Sequence, residues 1–416
     1  MVMDITIMGV TIKIERYETE TARKGKHILI YGRRKVGKTF LVKNFLSPDI
    51  YVLVKRGGGF FLEGAPFTTL DSYDQFLALF QEWIKDGKTI AIDEIQRMPI
   101  DFLEIFQTYK GDGRIILTGS SFHVVKDIIS QSSPILGLVG DLKLSLISPI
   151  DILSGLSIRI DKIDVLELSP YLRDPWLIPY FHQDKTELTD ILRLSKGAIR
   201  ALIGEVFLEE EKRLSLVYEG IIRSLSLGKW KLSEIADLLY SRKIIPKPDA
   251  HLLRPYFNNM EEMNLVRRIP IYNKKEYQYI IQSPIMELGF SLDERYNFFQ
   301  QDISKKTLKK EIDIAIPHHI EQFLGELFAQ VYDGKFEYFY SHNFDIDFII
   351  TRGKKVLASG EVKWKDKVSQ NDIELFLERT KHLRGDKIFI SKKPIESSNA
   401  ICLNPQNLLT WVNEKY

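Results

Sequence analysis

The chain has 416 residues, room for two to four domains at about 100–200 residues each, which excludes a single small module. A hydrophobic share of 44% and a charged share of 27% suit a chain that buries cores, so wholesale disorder is excluded as well. Lys and Arg number 58 against 56 Asp and Glu, a formal net charge of +2, so no global field draws the molecule to nucleic acid or membrane and any such contact must be local.

The N-terminus lacks the basic start, apolar core and cleavage site of a signal peptide, and no apolar run approaches the ~18 residues that span a bilayer. A cytoplasmic protein without membrane contact is expected. His27 to Tyr31, Ile50 to Val54, Thr89 to Ile92 and Arg114 to Thr118 are short apolar runs rich in β-branched residues, as buried parallel strands are. Between the second and third, Phe76, Leu79, Phe80 and Trp83 recur at helical spacing within Asp71 to Lys85. Strands alternating with helices predict an α/β fold, a parallel sheet covered on both faces.

Directly after the first strand, Gly32-Arg33-Arg34-Lys35-Val36-Gly37-Lys38-Thr39 fits G-x-x-x-x-G-K-[ST], and the helical run Phe40 to Phe45 follows. The glycines let backbone wrap the phosphates of ATP, amides at the helix start point at the anion, Lys38 reaches the outer phosphates, and the Thr39 hydroxyl ligates Mg2+. The third strand ends in Asp93-Glu94. An isolated pair of that kind would be a solvated strand end, but one crossover after a phosphate loop Asp93 is placed to hold the metal through water and Glu94 to polarise the attacking water. The fourth strand ends in Thr118-Gly119-Ser120-Ser121, whose hydroxyls can sense the terminal phosphate or simply form a turn.

After Pro149 the pattern is helical, with Lys185 to Glu211 read as one or two helices interrupted near Gly197. Leu216 to Ile281 reads as three helices and a hairpin, Leu265 to Ile271 with Tyr277 to Ile281, the outline of a winged helix-turn-helix. Its recognition-helix candidate is Asp249 to Met263, with Asp249 as N-cap. Arg242, Lys243, Lys247, His251, Arg254, Arg267, Arg268, Lys274 and Lys275 could make a DNA-contacting face, while Glu261 and Glu262 weaken that case and leave a protein-contacting face open.

Gln300 to Lys310 reads as a polar linker, and a helix is expected over Glu321 to Val331. Strands at Phe344 to Ile350, Val356 to Trp364 and Lys387 to Ile390 follow. Alternate strand residues share a face, so Glu361 and Lys363 project together, and an antiparallel turn at Thr351 to Lys355 brings Asp347 to them. Two carboxylates that can hold a hard cation and an ammonium that steadies developing charge are the chemistry of a magnesium-dependent phosphodiester cutter. Exposed cross-strand ion pairs would give the same pattern. Glu311-Ile312-Asp313 is a decoy of similar shape, read as a strand. His318, His319 and His342 make no convincing metal set and are expected at the surface, at element ends. The single Cys402 cannot form an intramolecular disulfide.

The phosphate loop, Asp93-Glu94-Ile95-Gln96 and Leu117-Thr118-Gly119-Ser120-Ser121 together resemble the archaeal-type ATPases of the AAA+ and signal-transduction NTPase assemblage. The resemblance implies an ASCE-type P-loop core, a helical lid, a winged helix and often a nuclease-like C-terminal domain, and it covers nearly the whole chain. Asp347 with Glu361-Val362-Lys363 resembles the PD-(D/E)XK nucleases, in which a helix glutamate may complete the site; Glu321 is the first choice and Glu326 the second. Two departures point to slow hydrolysis: Leu138 stands where the family commonly has arginine, and Lys196-Gly197-Ala198-Ile199-Arg200 replaces Gly-Gly-x-Pro.

The expected organisation is a P-loop core over 1–150, a lid over 151–212, a winged helix over 213–300 and a nuclease-like unit over 301–416. The expected function is a slowly hydrolysing ATPase controlling a module that acts on nucleic acid, with a homo-oligomer as one form. A nucleotide-dependent scaffold with a silent C-terminal domain and a DNA-binding regulator stay open.

Overall fold

The computed structural model describes residues 13–63, 68–99, 101–108, 111–120, 128, 130, 133–157, 162–181, 187–209 and 215–415. Two compact units divide them. One holds Glu15–Leu146 and Gly204–Arg213; the other holds Ile147–Ile203 and Leu214–Tyr416.

In the first unit, helix α1 (Glu18–Lys24), strand β1 (His27–Tyr31) and helix α2 (Lys38–Leu41, continued as a π-helical turn to Leu46) are followed by β2 (Ile50–Val54), β3 (Phe60–Glu63) and β4 (Thr68–Leu70). Next come α3 (Tyr73–Lys85), β5 (Thr89–Asp93), α4 (Phe102–Thr108), β6 (Arg114–Gly119) and β7 (Gly140–Lys143). The sheet order is β4-β3-β2-β5-β6-β1-β7. Neighbours among β2, β5, β6, β1 and β7 pair in parallel, and β3 and β4 add an antiparallel edge that the sequence reading missed. Because β6 lies between β1 and β5, its end stands beside both the phosphate loop and Asp93.

Strand alternation divides this core in two. Leu29, Val52, Ile90, Ile92, Ile115 and Leu117 meet Phe76, Phe80, Phe102 and Phe106 of α3 and α4, while Ile28, Ile30, Ala91 and Ile116 meet Ala22, Leu41 and Val42. α3 begins at Ser72, whose side chain accepts the Gln75 N–H at 3.4 Å, a cap for one of the unpaired amides of the first turn.

The second unit begins with helices α5 (Pro149–Ser157) and α6 (Lys162–Leu172) and with α7 (Leu188–Glu209), whose residues from Gly204 onward are grouped with the first unit. α7 runs through Gly197 unbroken, correcting the expected interruption: one glycine costs a helix interior only about 1 kcal/mol. Residues 185 and 211, the expected ends, lie outside the described residues. α8 (Leu216–Ser226), α9 (Leu232–Ser241) and α10 (Arg254–Glu262) precede the hairpin of β8 (Val266–Pro270) and β9 (Tyr277–Ile281). The expected three helices and two strands are all present. Asp249 accepts the His251 N–H at 2.9 Å, but it caps a short 3-10 turn, Ala250–Leu253, ahead of α10.

α11 (Pro284–Tyr296) leads to α12 (Lys305–Val331), then β10 (Lys335–Tyr340), β11 (Asp345–Arg352), β12 (Lys355–Lys363), α13 (Gln370–Thr380), β13 (Asp386–Ser391), β14 (Ile401–Leu403) and α14 (Leu408–Lys415). The linker expected over Gln300 to Lys310 is therefore corrected, because α12 starts at Lys305, capped by Ser304. Its lysines are polar, yet Leu308, Ile312, Ile316 and Ile320 recur every four residues and are buried, and that stripe outweighs the charge run. Glu311 and Asp313 lie on this helix rather than on a strand. Glu311 is buried and receives Arg295 at 2.7 Å and the Tyr296 hydroxyl at 2.8 Å. His318 and His319 lie mid-helix, which corrects their placement at element ends; His319 is buried and bonds the Tyr171 hydroxyl at 2.8 Å.

The five-stranded sheet runs β10-β11-β12-β13-β14, antiparallel across its first three strands and parallel across its last three. Phe328 of α12 stacks on Phe348 of β11 with ring centroids 5.1 Å apart, which seats the helix on the sheet. The β11–β12 turn falls where the sequence predicts, and Phe348 pairs with Gly360.

Candidate functional site

The loop between β1 and α2 is backbone-tight. Gly32 has φ 153°, and a Cβ there would stand 2.2 Å from the Leu144 carbonyl; Gly37 has φ 93° at the helix start, a conformation that glycine adopts without cost. Arg33 and Val36 are buried, Arg34 is half-buried and Lys35 is exposed with φ 62°. Lys38 is buried, and its ammonium donates to the carbonyls of Gly32 at 2.7 Å and Arg33 at 3.0 Å. It lies curled inside the loop, where an incoming phosphate would compete for it.

Asp93 gathers the rest. The Thr39 hydroxyl donates to its Oδ2 at 2.8 Å, the hydroxyls of Tyr51 and Thr118 donate to it as well, and the Glu94 N–H reaches Oδ1 at 3.0 Å. This buried carboxylate is thus fully bonded, and the Tyr51 phenol is pushed far above its usual pKa by burial and then by the Asp93 charge. Such a set fits a hydrated magnesium ion held by Thr39 directly and by Asp93 through water. Tyr51 was not foreseen, since in an apolar strand it reads as core.

Glu94 has φ 66°, and its Oε2 takes the Gln96 amide at 2.6 Å, the Arg97 guanidinium at 3.1 Å and the Ser120 hydroxyl at 3.4 Å. Gln96 also bonds Ser120 at 2.9 Å. Ser120 therefore stands beside Glu94; Ser121 lies outside the described residues. Arg97 is an unforeseen cation beside Glu94. Leu138 is 48% exposed, in the turn before β7.

The second unit brings Asp347, Glu361 and Lys363 together. Asp347 accepts the Val362 N–H at 2.7 Å, and Lys363 bonds Glu361 Oε1. Glu361 is buried, and its Oε2 has no hydrogen-bond partner among the described residues. Burial, then Glu321 and Glu361, raise the Asp347 pKa well above the carboxylate range. A buried orphan oxygen beside a carboxyl that resists ionising fits a missing cation. The Lys363 ammonium supplies part of that charge in this structure. Among the described residues, no three His, Cys, Asp or Glu side chains stand close enough to hold one ion.

Of the two helix glutamates, Glu321 faces this cluster. Glu326 does not: Arg173 holds it at 2.7 Å and Arg267 on its other side, and although burial alone would raise its pKa, the two guanidiniums bring it down to about 2. Arg267 is thereby withdrawn from the basic face proposed around α10. Arg242 pairs with Glu294, Lys247 with Asp249 and Arg268 with Glu261. Lys243, Arg254 and Lys275 are exposed, with no ion pair among the described residues.

Residues 24–143 match the AAA domain family, over the parallel sheet and its phosphate loop. No curated protein matches the chain. Among solved structures it is similar to the Walker-type ATPase PABY2304 of Pyrococcus abyssi, at 19% identity over 67% of this chain and 96% of that one, with a TM-score of 0.47. It is also similar to the ORC2 protein of Aeropyrum pernix in its ADPNP-ADP complexes (12% identity, 72% and 90% covered, TM-score 0.34). The ORC1 protein of Aeropyrum pernix in complex with DNA gives 12% identity, 66% and 89% covered, and a TM-score of 0.31. No helix among the described residues is long and apolar enough to cross a membrane.

Proposed function

We propose that the first unit binds ATP with magnesium and hydrolyses it slowly, and that the second carries a winged helix and a PD-(D/E)XK-like module acting on nucleic acid. The observation that carries the first half is the convergence of Thr39, Tyr51 and Thr118 on Asp93, beside Glu94. Lys38 leaves the loop carbonyls for the outer phosphates, and the amides at the start of α2 take the remaining charge. Thr39 and Asp93 would hold magnesium, which would supply positive charge to the phosphate oxygens. Glu94, oriented by Gln96 and Ser120, accepts the proton of the attacking water. The Arg97 guanidinium, 3.1 Å from the same carboxylate oxygen, competes with the attacking water for it, which suits slow turnover. In Glu94→Gln, nucleotide affinity should persist and turnover vanish. Turnover equal to the wild type would exclude Glu94 from the step.

The second half rests on the orphan Oε2 of Glu361 beside Asp347. Asp347 and Glu361 would hold magnesium, which would acidify water and polarise a phosphodiester, and Lys363 would then turn from Glu361 to the developing charge. The test is magnesium-dependent cleavage of plasmid and single-stranded DNA by the wild type against the double variant Asp347→Ala, Glu361→Ala. Equal cleavage would refute the module's role. The Lys363–Glu361 pair supports a second reading, a silent docking domain switched by nucleotide, under which neither protein cuts. The domain limits proposed remain 1–150, 151–212, 213–300 and 301–416, with α12 assigned whole to the last.

A further inference from the structure

β12 and β13 are parallel neighbours whose last paired residues are Lys363 and Ser391. The next residue on each chain is Trp364 and Lys392, so an indole and an ammonium leave the sheet side by side, one step beyond Lys363. The Lys392 ammonium lies 5.9 Å from the Trp364 ring centroid. Ligands of α/β sheets gather at the carboxyl ends of parallel strands, where these two donors stand.

In this structure both donors are turned on one atom. Glu167 of α6 accepts the Trp364 indole N–H at 3.0 Å and the Lys392 ammonium at 2.9 Å, each on Oε1. Glu167 and Lys392 are 24% and 29% exposed, so the pair is wet and adds little to stability. α6 is pinned a turn further on, where the Tyr171 hydroxyl bonds His319 and Arg173 bonds Glu326. Freeing the two donors therefore needs only a rotation of the Glu167 side chain.

We propose that Trp364 and Lys392 form a phosphodiester-binding pair at the carboxyl end of the strand that carries Glu361 and Lys363, and that Glu167 occupies it as a tethered stand-in for the phosphate. A carboxylate oxygen and a phosphodiester oxygen present the same charge and acceptor geometry to an N–H donor and an ammonium. The indole face adds a surface on which a base can stack. Asp366 and Asp313 contribute further negative charge around Lys392 and deepen the resting block. The proposal rests on the reading of this face as a nucleic-acid site, and it adds a self-masking residue to it.

The experiment uses the full chain, a short fluorescein-labelled single-stranded DNA and anisotropy in magnesium-free buffer. Glu167→Gln keeps an acceptor for Trp364 and removes the competing charge; binding should tighten about tenfold, the value of one charge-assisted hydrogen bond. Adding Lys392→Gln to that variant should return affinity to the wild-type level. Glu167→Asp, which withdraws the carboxylate by one methylene, should give part of the gain. Binding by both Glu167 variants that is unchanged or weaker, with melting temperatures like the wild type, overturns the proposal. Cleavage with magnesium is scored separately. Tighter binding by Glu167→Gln with no cleavage by any variant keeps the mask and refutes the nuclease reading. Cleavage that Asp347→Asn abolishes, with no gain in binding from Glu167→Gln, keeps the nuclease and overturns the mask.

Discussion

Beside the phosphate loop of the first unit one carboxylate, Asp93, receives three hydroxyls and a backbone N–H, whereas in the second unit Asp347 receives a backbone N–H and faces Glu321 and Glu361. The first carboxylate is saturated with hydrogen bonds before any ligand arrives, and the second sets Glu321 and Glu361 against Asp347, with the Lys363 ammonium on Glu361. A pocket of the first kind is kept in shape by the protein and filled by a ligand. One of the second kind gains stability from the cation it binds. The contrast recurs between the two glutamates of α12: Glu326 is held by two guanidiniums, whereas Glu321 meets the His318 imidazole at 3.7 Å and no guanidinium among the described residues.

Lys38 gives the largest expected effect. Lys38→Ala removes the one ammonium buried in the loop, and by the usual 2–5 kcal/mol for a buried charge partner ATP affinity should fall about 30- to 5000-fold in calorimetry. Unchanged affinity would end the account of the first site. Next is Glu326. Its folded pKa, about 2 against an ordinary 4.5, is depressed, so the stability it contributes is full above about pH 4.5 and is lost as pH falls toward 2. The shift corresponds to about 3 kcal/mol, which Glu326→Gln should forfeit at neutral pH in urea unfolding, together with the acid slope in that window. A variant as stable as the wild type would show that the two arginines do not hold it.

Asp347→Asn should act in the opposite direction. The Val362 N–H keeps an acceptor while a repelled charge disappears, so metal-free stability should rise, and magnesium should no longer raise the melting temperature. A destabilised variant would remove the contrast between the sites. The smallest effect is expected for Thr39→Ser, which keeps the hydroxyl on Asp93 and loses one methyl; magnesium-ATP affinity should stay within about a factor of four, the ~0.8 kcal/mol ceiling for one buried carbon. A larger drop would mean that the methyl, and not the hydroxyl, positions the site.

The loop from Gly32 to Thr39 could be read before any fold was known, because eight consecutive residues hold its chemistry and the flanking strand and helix are local. The hairpin carrying Asp347, Glu361 and Lys363 was equally legible, since strand alternation and one short turn decide which side chains share a face. The polar start of α12 was misread because its lysines outnumber its apolar residues, although the buried stripe from Leu308 to Ile320 was present in the spacing.

What the sequence by itself determined are the parts whose geometry the chain settles within a turn or two: the phosphate loop, the strands and the carboxylate hairpin. The tertiary structure alone decided the partners. Tyr51 and Thr118 on Asp93, Arg173 and Arg267 on Glu326, and Glu167 across Trp364 and Lys392 join residues 25 to 225 positions apart. Such pairings follow from sheet order and helix docking, and each sets whether a carboxylate is neutralised, buried with its charge or left to seek a cation. Periodicity says which face a side chain takes, and only the packed fold says what charge it meets there.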